Sequence, residues 1–161
     1  MPTMSTFRNL QYESMHNGLA IYKNFFQLQD PATLNLYRDR GDGWTALQTL
    51  CHLRDFEAVF LLRVRLMVLH DNPDLPFPNP DQLATEKSYH TQDLWTVYEE
   101  WVKNRQDLLK YLESLEEGDW ERPGVHPIRG YFTPHNQLFL VPYHDTLHLD
   151  QITRTLQEKK A

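Results

Sequence analysis

Four long stretches of this chain carry apolar residues at helical spacing, and the segments between them hold most of its prolines and glycines. That alternation points to helices packed side by side around one core. The first stretch runs from about Ser5 to Gln29, with Leu10, Ile21, Phe25 and Leu28 as inward candidates, and Asp30-Pro31 stops it. The second runs from about Trp44 to His70, where Thr49, Leu53, Phe56, Phe60 and Met67 gather on one side. Asp71 to Pro80 contains four prolines and reads as a long crossover loop. In the third stretch, Thr91 to Leu115, the seam Leu94, Tyr98, Trp101, Arg105, Leu108, Leu112, Leu115 is broken only by Arg105. Glu116 to Thr133 reads as a structured loop, and Thr133-Pro134 supplies an N-cap and a first-turn proline for a fourth helix ending near Glu158. Pro142 predicts a kink or a break inside it. The expectation is an all-α, four-helix up-down bundle with a long crossover between helices two and three, residues 1–161 forming a single domain.

Charge and composition narrow the functions. A net charge of −6 leaves no basic excess for phosphates, so no nucleic-acid partner is expected. The apolar run Phe60 to Leu69 is interrupted by Arg63 and Arg65 and is too short to span a membrane. The opening residues Met1 to Arg8 show no secretory signal and Cys51 has no partner for an intrachain disulfide, so a cytoplasmic setting is expected. Phosphate loops, nucleophile elbows, paired-cysteine zinc motifs and paired Glu-x-x-His motifs are all missing.

Chemistry concentrates on three histidines. His144 and His148 are one helical turn apart, and Leu138, Val141, Ile152 and Leu156 fall within about 80° of His148 on a helical wheel, so the pair belongs to an inward stripe. His52 shares its side of the second helix with Phe56 and Val59. Three imidazoles converging in one interior would suit zinc, nickel, copper or iron and leave positions open for water or substrate. Core histidines hydrogen-bonded to neighbours would follow the same spacing. Cys51 points about 100° away from His52 and reads as core. His16 reads as a packing or surface residue, and His70, His90, His126 and His135, at helix ends or in loops, are expected to be exposed. Trp95, Tyr98, Trp101 and Trp120 are core candidates first and pocket walls second.

The segments Trp44-Thr-Ala-Leu-Gln-Thr-Leu-Cys-His-Leu-Arg-Asp and His144-Asp-Thr-Leu-His-Leu-Asp-Gln-Ile, with the Gly-Tyr-Phe-Thr lead-in to the fourth helix, resemble the DinB/YfiT-like superfamily over nearly the whole chain. The resemblance implies a four-helix bundle, often a homodimer, holding one divalent ion on His52, His144 and His148, with zinc or nickel foremost. It also implies a small-molecule substrate, and for some relatives a low-molecular-weight thiol used in transfer or isomerisation. Pro142, so near His144, departs from the common pattern.

A thiol at such an ion would be held as its nucleophilic thiolate. Arg105 is then a candidate to hold an anionic group, or a snorkelling side chain. A hydrolase is the enzymatic alternative: His144-Asp-Thr-Leu-His148 resembles His-Glu-x-x-His, with Asp145, one methylene shorter, as proton-transfer candidate. A non-catalytic protein whose ion only fixes two helices is the third reading. Gln48, Asp55 and Gln151 are candidates to support the ligands or touch substrate.

Overall fold

The computed structural model describes residues 3–157. Helix α1, Met4–Gln27, starts at Thr3, whose side chain accepts from the Thr6 backbone N–H. Its buried residues are Met15, Leu19, Tyr22 and Phe26. The expected inward set is corrected here: Leu10, Ile21 and Leu28 are exposed, and Phe25 packs only half-buried on the core. Apolar residues occupy more than one side of this helix, and the side turned inward carries Gly18 between Met15 and Tyr22. There α1 comes so close to the last helix that a Cβ on Gly18 would lie 2.8 Å from Asp145 Oδ2.

Helix α2, Ala46–Leu69, opens on a capping box in which Thr45 and Gln48 satisfy each other's backbone N–H. Thr49, Leu53, Phe56, Phe60 and Met67 are all buried, as the spacing predicts. The crossover is more structured than expected. Asn79 caps a short helix α3, Pro80–Glu86, and a 3₁₀ turn at Tyr89–Thr91 leads to α4, Leu94–Glu113, capped by Asp93. The glycine-rich loop after α4 contains a hairpin of β1, Gly124–His126, and β2, Gly130–Phe132, with Val125 opposite Tyr131. Helix α5, Pro134–Gln157, starts at Thr133, whose backbone N–H and hydroxyl both donate to Asn136 Oδ1, and it continues through Pro142 as one helix. Its expected end at Glu158 lies outside the described residues. No helix among the described residues is long and apolar enough to cross a membrane.

The long helices α1, α2, α4 and α5 form the expected bundle; α1 and α2 each pack on α4 and α5, so the first two lie across a diagonal. Contacts fix the directions. Tyr98 reaches the Leu19 carbonyl and Arg105 that of Met15, so α4 runs against α1. Asn104 meets Arg54 and Arg105 meets Glu57, so α4 runs with α2. His52 neighbours His148 and Phe60 neighbours His144, so α5 runs against α2. Two parallel neighbours need a connection that returns to the starting end, which the long crossover provides.

Two apolar clusters fill the interior, one around Tyr22, Leu50, Trp101 and Ile152, the other around Met15, Phe60, Leu108 and Leu138. Between them on each helix lies Arg105 and its partners. Arg105 is fully buried and uses all five donors: two to Glu57, two to Asp145 at 2.9 Å, and one to the Met15 carbonyl at 2.8 Å. Gly18→Ala should therefore destabilise the chain despite alanine's better helix propensity, because Asp145 is clamped and cannot yield. The expected loss is about 1–2 kcal/mol in urea unfolding; an unchanged or raised midpoint would show that α1 has room to shift.

Candidate metal centre

Helix α2 brings His52 into the interior at 5% exposure, and α5 places His144 and His148 opposite it, half-buried and one turn apart. Their Nε2 atoms converge: His144 lies 3.1 Å from His52 and 3.1 Å from His148. Around a tetrahedral ion with metal–nitrogen bonds of about 2.1 Å, neighbouring nitrogens stand roughly 3.4 Å apart, close to the two separations at His144, and all three ligand atoms lie within 4.8 Å of one another. Among the described residues no fourth His, Cys, Asp or Glu joins the group.

Proton accounting gives the same answer. His148 Nδ1–H donates to Gln151 Oε1 at 2.8 Å, which leaves a lone pair on His148 Nε2. One N–H on His144 Nε2 can serve only one of its two neighbours, and His52 Nδ1 is buried with no partner. A cation at the focus would take all three Nε2 lone pairs, the ring protons of His52 and His144 then standing on Nδ1. Burial pushes the His52 pKa down to about 2, with His148 adding to the effect, and it lowers those of His144 and His148 as well. At neutral pH these rings are uncharged, the form that ligates.

Beside the cluster opens a cavity of 160 Å³ walled by His52, His144, Phe56, Phe60, Phe77 and Leu140 and closed by Arg63, His126 and Arg129. Burial of His126 corrects the expectation of an exposed loop histidine: the hairpin folds it inward against Phe77 and Phe132. His135 is buried too, stacked on Trp120 and held by Glu121 at 2.7 Å, whereas His16, His70 and His90 are exposed. Arg63 was visible in the sequence as a charge interrupting an apolar run, the one signal that could have marked it.

The other expected site residues go elsewhere. Gln151 supports His148, as described. Gln48 is occupied at the start of α2. Asp55 turns away from the histidines to Arg54 at 2.9 Å, Tyr89 Oη at 2.6 Å and Lys87 at 3.0 Å. Arg105 neither snorkels nor holds a ligand, because every donor is bound within the core. Asp145, 100° around the helix from His144, spends both oxygens on Arg105 and is corrected from proton carrier to structural ion-pair partner. Burial raises its pKa and that of Glu57, since one guanidinium cannot neutralise two carboxylates. Cys51 is core, its thiol pushed up to about 12 by burial.

These shifts set a pH dependence for the metal-free chain. His52, His126, His144 and His148 have folded pKa values below that of a free imidazole, so the unfolded chain binds more protons below about pH 6.5 and stability is lost as pH falls. Glu57 and Asp145, raised together, act in the opposite sense but share one cation and offset only part. The urea midpoint is expected to drop between pH 7.5 and 5; a midpoint that rises would mean the imidazoles are not held neutral.

A four-helix bundle whose antiparallel α2 and α5 converge three neutral imidazoles on one point is a bundle with a built candidate metal centre. The chain belongs to the DinB superfamily, whose family model matches residues 20–152, a span holding all three histidines. Among solved structures it is similar to YfiT from Bacillus subtilis, described as a probable metal-dependent hydrolase with an unusual four-helix bundle topology. The identity is 20%, the TM-score 0.86, and the match covers 99% of this chain and 91% of that one. It is also similar to a mycothiol-dependent maleylpyruvate isomerase, at 14% identity and TM-score 0.72, over 90% of this chain but only 60% of that one. No curated protein matches the sequence.

Proposed function

We propose that this chain is a metal-dependent enzyme in which His52, His144 and His148 hold one divalent transition-metal ion, zinc or nickel foremost, and that it transfers or isomerises a small molecule with the help of a low-molecular-weight thiol. The observation that carries the reading is the convergence of three imidazole Nε2 atoms, with His52 and His144 also lining a cavity and no fourth protein ligand among the described residues. When bound, the ion would supply stabilisation of a thiolate at a pH where free thiols stay protonated. Gln151 fixes the His148 ring, and Phe56, Phe60 and Phe77 limit water in the cavity. Among the described residues no carboxylate lines that cavity, and Asp145 is committed to Arg105, so water there meets no carboxylate base, whereas a thiol brings its own nucleophile. Hydrolysis is the second reading, supported by the description of the Bacillus subtilis neighbour.

A panel of small thiols with a chromogenic aryl halide, and an ester panel without thiol, separates the readings on zinc-loaded protein. Thiol consumption lost in His144→Ala, His148→Ala supports transfer; ester cleavage without thiol replaces it with hydrolysis. Stable metal binding with neither activity leaves a purely structural ion. The proposal includes a cytoplasmic homodimer in which a second copy covers the exposed Leu10, Ile21, Tyr143 and Leu147 of α1 and α5; a monomer in sedimentation would remove that part.

A further inference from the structure

Arg63 lies eleven residues beyond His52 on α2, within about 20° of it around the helix, so both face the same cavity from one side. Its surroundings are unusual for a cation. The side chain is 1% exposed, and its Cζ stands 5.6 and 5.8 Å from the ring centres of Phe60 and Phe77. Nε donates to the Pro76 carbonyl at 2.9 Å, while Nη2 is buried with no partner. Arg105, equally buried, spends every donor on two carboxylates and a carbonyl. Arg63 has no carboxylate: the charge acting on it is that of Arg129, which adds to burial in lowering its pKa to about 10 and so leaves it cationic at neutral pH. A buried, unpaired guanidinium is costly to keep, which directs attention to what would complete it.

The neighbouring groups ask for the same thing. His126 Nδ1 accepts from the N–H groups of Ile128 and Arg129 at 3.2 and 3.3 Å, so its ring proton sits on Nε2 and the ring is a donor toward anything else it meets. Arg129 adds a second guanidinium to the lining. This end of the cavity therefore presents donors and no acceptor, between aromatic walls. The complement is a planar group that only accepts and that matches the guanidinium fork. With 160 Å³ available, that group must belong to a molecule of about one ring or a short chain.

We propose that Arg63, assisted by His126 and Arg129, recognises the carboxylate of a small anionic substrate whose other end lies against His52 and His144. The placement of that other end rests on the metal-centre reading above; the carboxylate site does not.

Calorimetric titration of the full chain with benzoate and with its uncharged isostere benzamide tests the proposal, on zinc-loaded and on chelator-treated protein. Wild type should bind benzoate in both forms and benzamide roughly tenfold or more weakly, the margin of a charge-assisted pair over a neutral one. Arg63→Met should lose the preference for benzoate. Its melting temperature should not fall, because an apolar chain replaces an unpaired buried charge. Arg63→Lys should keep only part of the preference, lacking the fork, and Arg129→Ala, a surface change, should weaken benzoate severalfold with melting unaltered. These two decide the matter should Arg63→Met fail to fold. Equal binding of benzoate and benzamide overturns the proposal, as does benzoate binding unchanged in the Arg63 and Arg129 variants. Benzoate binding that requires zinc and ignores Arg63 overturns it while sustaining the metal centre. If zinc does not bind but benzoate still depends on Arg63, the metal reading fails and the carboxylate site stands.

Discussion

Replacing Arg105 with methionine is expected to cost the chain about 3–5 kcal/mol of unfolding free energy, a large part of what a domain of this size possesses. The loss comes from what the substitution leaves behind. Glu57 and Asp145 would face each other in the core with no cation between them, and Met15 would lose a donor to its carbonyl. Their pKa values, already raised by burial, would rise further. A raised folded pKa gives stability that is lost as pH increases through it, so the gap between variant and wild type should narrow as pH falls from 7 toward 5. Urea unfolding across that range checks both size and slope. A loss below about 1 kcal/mol would mean that the carboxylates find other partners or water, and the pairing would not be the centre of the fold.

Metal content should change from about one ion per chain to none when His144 and His148 are both replaced by alanine, measured by mass spectrometry on protein purified without an affinity tag. Wild type at a free zinc concentration one hundred times its dissociation constant should gain about 2.7 kcal/mol against unfolding, and the variant nothing. Loss of Nε2 from both residues leaves His52 alone on α2, and one imidazole cannot retain an ion against a chelator. If wild type takes up no zinc, nickel or manganese after reconstitution, the three rings are a hydrogen-bonded core cluster and the enzyme reading loses its mechanism.

How much of this was legible in the sequence depended on whether a signal was local. The i,i+4 spacing of His144 and His148 and the apolar stripe around His52 were enough to turn all three inward, because α2 and α5 are long enough for periodicity to fix a face. On α1 the same reasoning picked the wrong stripe. Its sequence offers two, and the choice was made by Gly18, whose lack of a side chain admits Asp145 from a helix more than a hundred residues away. Arg105 stood out as the one charge in an apolar seam, yet its partners on α2 and α5 are known only once the helices pack. The hairpin escaped because three-residue strands show no period, and with it went the inward turn of His126. The hydrogen bond from His148 to Gln151, by contrast, lies within one helical turn, a distance over which sequence spacing is informative.

The diagonal placement of α1 and α2 has a consequence in time. Helices that follow each other in the chain usually pair first, since the loop to be closed is short, but here the first two pack mainly on α4 and α5 and little on each other. α1 finds its neighbours only when α4 and α5 exist, and α2 must wait across the whole crossover for α4. The three imidazoles meet only when α5, the last long helix in chain order, settles on α2, bridging a separation of 92 residues from His52 to His144. Assembly of the bundle is thus expected to be slow for an all-helical protein of its length, with the three-histidine cluster closing late.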